Sequence, residues 1–274
     1  MDLRIGIKGI VRNWMAEAVV LEAIRVKSVT KSFGTVKAVK DLNLAVSAGE
    51  VRGLLGPNGS GKSTTMKIIL GVLKPESGEV YVYDVDVRGR PVYARKMIGY
   101  VPETPYLYEY LTAAEYLDFV GVAYGIEREA RRQRVNELLQ ALQMETHVNE
   151  VMSSFSQGMK QKIALTAALL HRPRVLVLDE PLNGLDPRSA RIVKDLLHRL
   201  AGEGVAILFS THVLEIAEAI CHRVTIMNEG SVLAEGSVQE LRSMAGLRGS
   251  SLEDVFLKLT GSEDTAKIVE ALKL

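Results

Sequence analysis

The nonapeptide Gly56-Pro57-Asn58-Gly59-Ser60-Gly61-Lys62-Ser63-Thr64 constrains this chain more than any other stretch. It fits G-x-x-x-x-G-K-[ST], with a short apolar run before it (Val51 to Leu55) and a helical run after it (Thr65 to Leu70, stopping at Gly71). Strand, glycine loop and helix is the context in which this motif binds phosphate. Glycines let successive backbone N–H groups turn inward as an anion nest, and the following helix points its positive end at the same spot. Lys62 reaches the outer phosphates of a nucleotide, and the Ser63 hydroxyl is suited to Mg²⁺. The motif selects a nucleoside triphosphate but does not separate kinase, GTPase, motor and pump.

Composition narrows the class. The 274 residues suggest one large domain, or a domain with a small appendage. A net charge of +1 argues against a dedicated nucleic-acid binder. The single cysteine, Cys221, excludes an internal disulfide and reads as a small buried apolar residue. No run approaches the roughly 18–20 apolar residues needed to span a bilayer, so work at a membrane requires spans from another chain. Residues 1–23 differ in character from the rest of the chain. Arg4, Lys8 and Arg12 recur every four residues and interrupt the apolar ones, which excludes a signal peptide. Three readings stay open there: a helix on a membrane surface, a structureless leader, or an extension ahead of a natural start at Met15.

Folded structure is expected from Ile24. Two strands around Phe33-Gly34-Thr35 make an antiparallel start, and Glu79 to Tyr83 alternates as a further strand beyond the turn at Lys74 to Gly78. Thr112 to Glu150 has helical spacing, as does Ser156 to Leu170, which ends before Pro173. Buried-strand runs then alternate with helices: strand Arg174 to Leu178, helix Ser189 to Leu200, strand Val205 to Phe209, helix Val213 to Ile220. Asn228-Glu229-Gly230 marks a hairpin, and Ser237-Val238-Gln239-Glu240 has capping-box form. Leu252 to Leu259 and Glu263 to Leu272 are short helix candidates. Apolar runs alternating with helices predict a mainly parallel sheet covered on both faces.

A second set of chemical residues lies in this half. Val175 to Leu178 is an apolar strand that ends in Asp179 and Glu180. Beside a phosphate loop, Asp179 can hold Mg²⁺, and Glu180 is placed to orient and deprotonate an attacking water. Ser210-Thr211-His212 ends the next strand, where His212 can donate to a terminal phosphate. His147, His171, His198 and His222 read as structural, and no His or Cys cluster has metal-site spacing.

These residues carry a resemblance. Phe155-Ser156-Gln157-Gly158-Met159-Lys160-Gln161 resembles the signature motif of ATP-binding-cassette (ABC) ATPases. Leu182-Asn183-Gly184-Leu185-Asp186 resembles their D-loop, and Ser210-Thr211-His212 their switch histidine. Val101-Pro102-Glu103 stands at the Q-loop, and Phe33 at the adenine-stacking aromatic. The motifs cover roughly residues 24–240 in the family's order. The resemblance implies an α/β phosphate-loop NTPase with a mixed, mainly parallel central sheet, an antiparallel β-subdomain and an α-helical subdomain at about 103–170. A helical tail at 241–274 completes it. The resemblance also implies ATP and Mg²⁺, with Ser63, Asp179 and Glu103 toward the metal and Lys62, Glu180 and His212 in catalysis. Ser156 and Gly158 would meet the γ-phosphate held by a second cassette.

Two departures stand out. The family's usual Q-loop glutamine is Glu103, and the signature carries Gln157 and Met159 where glycine and glutamine are common. With the tail Ser251 to Phe256, these are similar to the cassettes of type-two ABC export systems. That similarity implies a peripheral subunit on the cytoplasmic face of the membrane, paired with a second cassette and an integral-membrane permease, with no nucleic acid. Tyr106, Leu107, Tyr108, Tyr110 and Leu111 offer the permease an aromatic surface, or else pack as ordinary core. A soluble ABC ATPase acting on ribosomes or DNA is the competing reading. A phosphate-loop kinase or GTPase leaves the signature unexplained, and no Asn-Lys-x-Asp guanine-reading motif occurs.

Overall fold

The computed structural model describes residues 21–247 and 249–260. Two sheets meet in it. The smaller is wholly antiparallel, in the order β2-β1-β4-β5, from β1 (Glu22–Phe33), β2 (Val36–Ser47), β4 (Ser77–Val82) and β5 (Val85–Asp86). The expected hairpin is present, with Phe33 paired to Val36 across the turn. Pairing begins at Glu22, two residues ahead of Ile24. Residues 1–20 and the helix expected at Glu263 to Leu272 lie outside the described residues.

The larger sheet has the order β10-β9-β3-β8-β7-β6. Its strands are β3 (Val51–Leu55), β6 (Ile98–Val101), β7 (Val175–Asp179), β8 (Ala206–Ser210), β9 (Arg223–Asn228) and β10 (Ser231–Gly236). All its pairs are parallel except the β9–β10 hairpin. Every residue of β3, β7 and β8 is buried. Strands covered on both faces need continuous apolar runs, and these three have them. One face packs on α1 (Lys62–Ile69) and the small sheet, through Leu54, Met66, Ile69, Val80, Val82, Val177 and Leu208.

The opposite face carries the helical side of the molecule. Helices α3 (Ala113–Ala123), α4 (Arg128–Ala141) and α5 (Gln157–Leu169) bury Leu117, Leu139 and Ile163 in one cluster with Leu176 and Phe209. Their starts obey local chemistry. Thr112 and Glu115 form a reciprocal capping box on α3, the Glu127 carboxylate caps α4, and Ser156 caps α5.

Helix α6 (Pro187–Gly202) starts two residues ahead of the expected Ser189, because Asp186 accepts from the Ser189 N–H and Pro187 fits the first turn. Helices α7 (Leu214–Ile220), α8 (Val238–Met244) and α9 (Leu252–Thr260) close a third cluster, in which Ala217, Leu241, Leu252 and Val255 pack with Leu55, Val224 and Ile226.

Several short elements leave no clear mark in the sequence. Helix α2 (Pro91–Lys96) has six residues, too few for a helical period to show. Strand β6 has four, interrupted by Gly99. Leu54, on the central strand, is 0% exposed. Leu54→Ala should lower unfolding stability by about 2–5 kcal/mol, read as a fall in the denaturant midpoint at unchanged slope.

Candidate functional site

Five strands of the large sheet, β9, β3, β8, β7 and β6, run parallel, so the segments leaving them emerge at one edge. Val101 of β6 pairs with Leu178 of β7, Asp179 of β7 with Ser210 of β8, and Leu54 of β3 with Ser210. The carboxyl edge of such a sheet is where ligands sit. A cleft of about 400 Å³ opens there. It is lined by Val36 and Ala38 from β2, by Asn58, Gly59, Ser60, Gly61, Lys62, Ser63 and Thr64, and by Glu103, Asp179 and Glu180.

The phosphate loop is built for an anion. Gly61 is the N-cap of α1, with φ 104°, a left-handed conformation that glycine takes without strain. It provides no side-chain cap, so the N–H groups of the first helical turn keep no internal acceptor and are free for a ligand. The buried Ser60 hydroxyl has no hydrogen-bond partner among the described residues. The Lys62 ammonium donates to the carbonyls of Gly56 at 2.7 Å and Pro57 at 3.1 Å. Burial pulls its pKa down, while the charges of Glu180, Asp179 and Glu103 oppose that shift.

The acids are held differently. The Ser210 hydroxyl donates to Asp179 Oδ1 at 2.5 Å and accepts from the Glu180 N–H at 3.0 Å. Glu180 has φ 49°, in the left-handed region that costs a non-glycine residue energy. The Ser210 bond holds that conformation from one side, and the Asn183 N–H, donating to the Glu180 carbonyl at 3.1 Å, holds it from the other. Glu180 Oε1 lies 2.9 Å from His212 Nδ1. If Glu180 is a carboxylate, that nitrogen carries the proton. Tyr100, on β6, has its phenol pushed up to about 12, by burial first and by Asp179 second.

Some expected residues stand apart from the cleft. Phe33 is exposed at the β1–β2 turn, beside the cleft residue Val36, with the Lys31 ammonium 5.4 Å from its ring centroid. Neither Ser156 nor Gly158 is among the described residues that line the cleft. They begin α5, where Ser156 Oγ accepts from the Met159 N–H at 3.3 Å. A Cβ on Gly158 would stand 2.6 Å from the Gly184 carbonyl oxygen, so this turn and the one after Glu180 touch backbone to backbone. The buried Gln161 amide donates to the Pro181 carbonyl at 3.2 Å and fastens the same two segments.

Two positioning residues are not singled out by sequence alone. Gln161 shows there only as part of a motif. Ser210 stands in a stretch that draws attention for its histidine, and its role depends on pairing with Asp179, which no local pattern reveals.

Ser63, Asp179 and Glu103 place hydroxyl and carboxylate oxygens on the cleft, the hard donors that Mg²⁺ takes. Among the described residues, no group of three or more His, Cys, Asp or Glu could hold a metal alone. A cation bound here would need phosphate oxygens to complete its shell, which fits Mg²⁺ carried with a triphosphate.

Fold, cleft and motif order define an ATP-binding cassette, and comparison with known proteins agrees. Residues 39–183 match the ABC transporter family. The chain is 34% identical to the ABC-type transporter ATP-binding protein EcsA of Bacillus subtilis (strain 168), over 88% of this chain and 97% of that protein. It is 33% identical to the linearmycin resistance ATP-binding protein LnrL of the same organism, over 85% of this chain and 77% of that one. A solved dimeric post-hydrolysis state of the cassette MJ0796, bound to ADP and Pi, superposes with a TM-score of 0.73 at 29% identity, covering 83% of this chain and 100% of that one. The chain belongs to the ABC transporter family and is an ATP-binding, ATP-hydrolysing subunit of that kind.

Ser210→Ala removes the Asp179 donor and leaves the buried Glu180 N–H without its acceptor. Stability should fall by about 1–3 kcal/mol. Steady-state ATP hydrolysis should fall with it, and Ser210→Thr should restore part of both.

Proposed function

We propose that this subunit powers export: two copies close head to tail around two ATP molecules, and a separately encoded membrane-spanning permease is driven by their closing and opening. The observation that carries the reading is that the signature turn lies outside the chain's own cleft. Ser156 and Gly158 offer a helix N-terminus to a phosphate, yet in this chain they abut the segment after Glu180 instead. Phosphate loop and signature become one site only across two copies. The dimeric cassette that shares this fold supports that arrangement.

Within each site the phosphate-loop N–H groups and Lys62 hold the phosphates, and Phe33 stacks on the base. Ser63, Asp179 and Glu103 would hold Mg²⁺, which when bound neutralises phosphate charge. Glu180 takes a proton from water as the water oxygen attacks the γ-phosphorus. The bond to the β-phosphate oxygen breaks, leaving ADP and inorganic phosphate. His212 positions Glu180 through the Nδ1 to Oε1 hydrogen bond and turns its other ring nitrogen toward the γ-phosphate of the bound nucleotide. Loss of the γ-phosphate removes what bridges the two copies, a switch of the order-to-disorder type.

Export itself rests on two supports. One is the resemblance to type-two export cassettes; the other is the likeness to the linearmycin resistance ATP-binding protein. No helix among the described residues is long and apolar enough to cross a membrane. The segment after Glu103 offers the permease a surface. Tyr106, Tyr108 and Tyr110 are exposed, while Leu107 and Leu111 pack into the core. Exposed and packed side chains are thus divided in this stretch between its tyrosines and its leucines, and the exposed tyrosines support the permease reading.

Glu180→Gln should bind ATP, hydrolyse it at least about a hundred-fold more slowly, and accumulate as a dimer in light scattering. A variant that turns over normally removes Glu180 as the base. Ser156→Arg should block ATP-driven dimerisation while leaving monomer binding close to wild type in calorimetry. Loss of monomer binding would instead place Ser156 in its own copy's site.

A further inference from the structure

We infer that Glu103 ties the binding of ATP to the binding of a divalent cation, so that the nucleotide enters well only with its metal. The inference rests on the ATP-binding reading and concerns the one cleft residue that departs from the family's usual amide.

The charges on the cleft are unbalanced. Asp179, Glu180 and Glu103 line it, against the single ammonium of Lys62. Two of the three carboxylates have partners: Asp179 accepts from Ser210, and Glu180 bonds to His212. Glu103 is exposed and makes no hydrogen bond or ion pair with any described side chain. It comes two residues after β6, whose last residue Val101 pairs with Leu178, so it leaves the sheet beside Asp179 and Glu180. Its charge reaches the Lys62 ammonium along with theirs.

A triphosphate arriving alone brings more negative charge to this cleft. Glu103 then repels it, where an uncharged glutamine would not. A divalent cation reverses the sign, because the carboxylate attracts the cation that the phosphates carry. One carboxylate therefore weakens metal-free ATP and strengthens the metal complex. By linkage the effect is reciprocal, and bound nucleotide raises cation affinity by the same factor.

The test measures binding rather than turnover. Affinity for a non-hydrolysable imido analogue of ATP is measured by calorimetry in EDTA and in excess MgCl₂, for the wild type, Glu103→Gln and Glu103→Asp. The ratio of the two affinities should be about three- to ten-fold larger in the wild type than in Glu103→Gln, and should shrink with added salt. Glu103→Gln should bind the analogue more tightly than the wild type in EDTA. Glu103→Asp keeps the charge and should keep the larger ratio, which separates charge from packing. Intact binding with equal ratios in the wild type and Glu103→Gln overturns the linkage alone. No binding by the wild type even with MgCl₂ overturns the nucleotide reading itself.

Discussion

The in-register parallel pairing of β3, β8, β7 and β6 places four exits from the sheet along one edge. The phosphate loop leaves β3, Ser210 closes β8, Asp179 closes β7, and Glu103 lies just past β6. Sliding any strand by one residue would turn its side chains to the other face and dismantle the cleft. The fully buried runs of β3, β7 and β8 fix that register, since helices or the small sheet cover both faces. Core packing and catalytic geometry are thus the same constraint seen at two ends of a strand.

At the edge, electrostatics decides what the cleft accepts. Backbone N–H groups and Lys62 make it attractive to phosphate, and the three carboxylates that line it favour, on the reading proposed above, phosphate that arrives with a cation. Ser210 links the two acids to each other, so one hydroxyl in the adjacent strand holds both the Asp179 carboxylate and the strained backbone of Glu180. The contact of Gly158 with Gly184 and the bond from Gln161 to Pro181 carry the geometry outward. They join the turn after Glu180 directly to the signature.

Much of this is legible in sequence, for physical reasons. Phosphate binding needs a contiguous loop, so Gly56 to Thr64 declares itself, and the buried strand before Asp179 shows as an apolar run. Helix α6 is visible too, with its start misplaced by two residues because the Asp186 cap acts before the apolar period begins. What stays hidden depends on long-range pairing. Ser210 matters because Asp179 lies beside it, 31 residues away in the chain, and β6 is too short to announce itself. The tyrosine–leucine division after Glu103 needs burial to resolve it.

The central claim is that each ATP site is shared between two copies. Mixing two variants tests it most directly: Lys62→Ala, with a broken phosphate loop, and Ser156→Arg, with a broken signature. Each alone should hydrolyse ATP poorly. A mixed dimer would pair the intact phosphate loop of one with the intact signature of the other, so the mixture should regain hydrolysis. A mixture as inactive as its separate components would contradict the shared site.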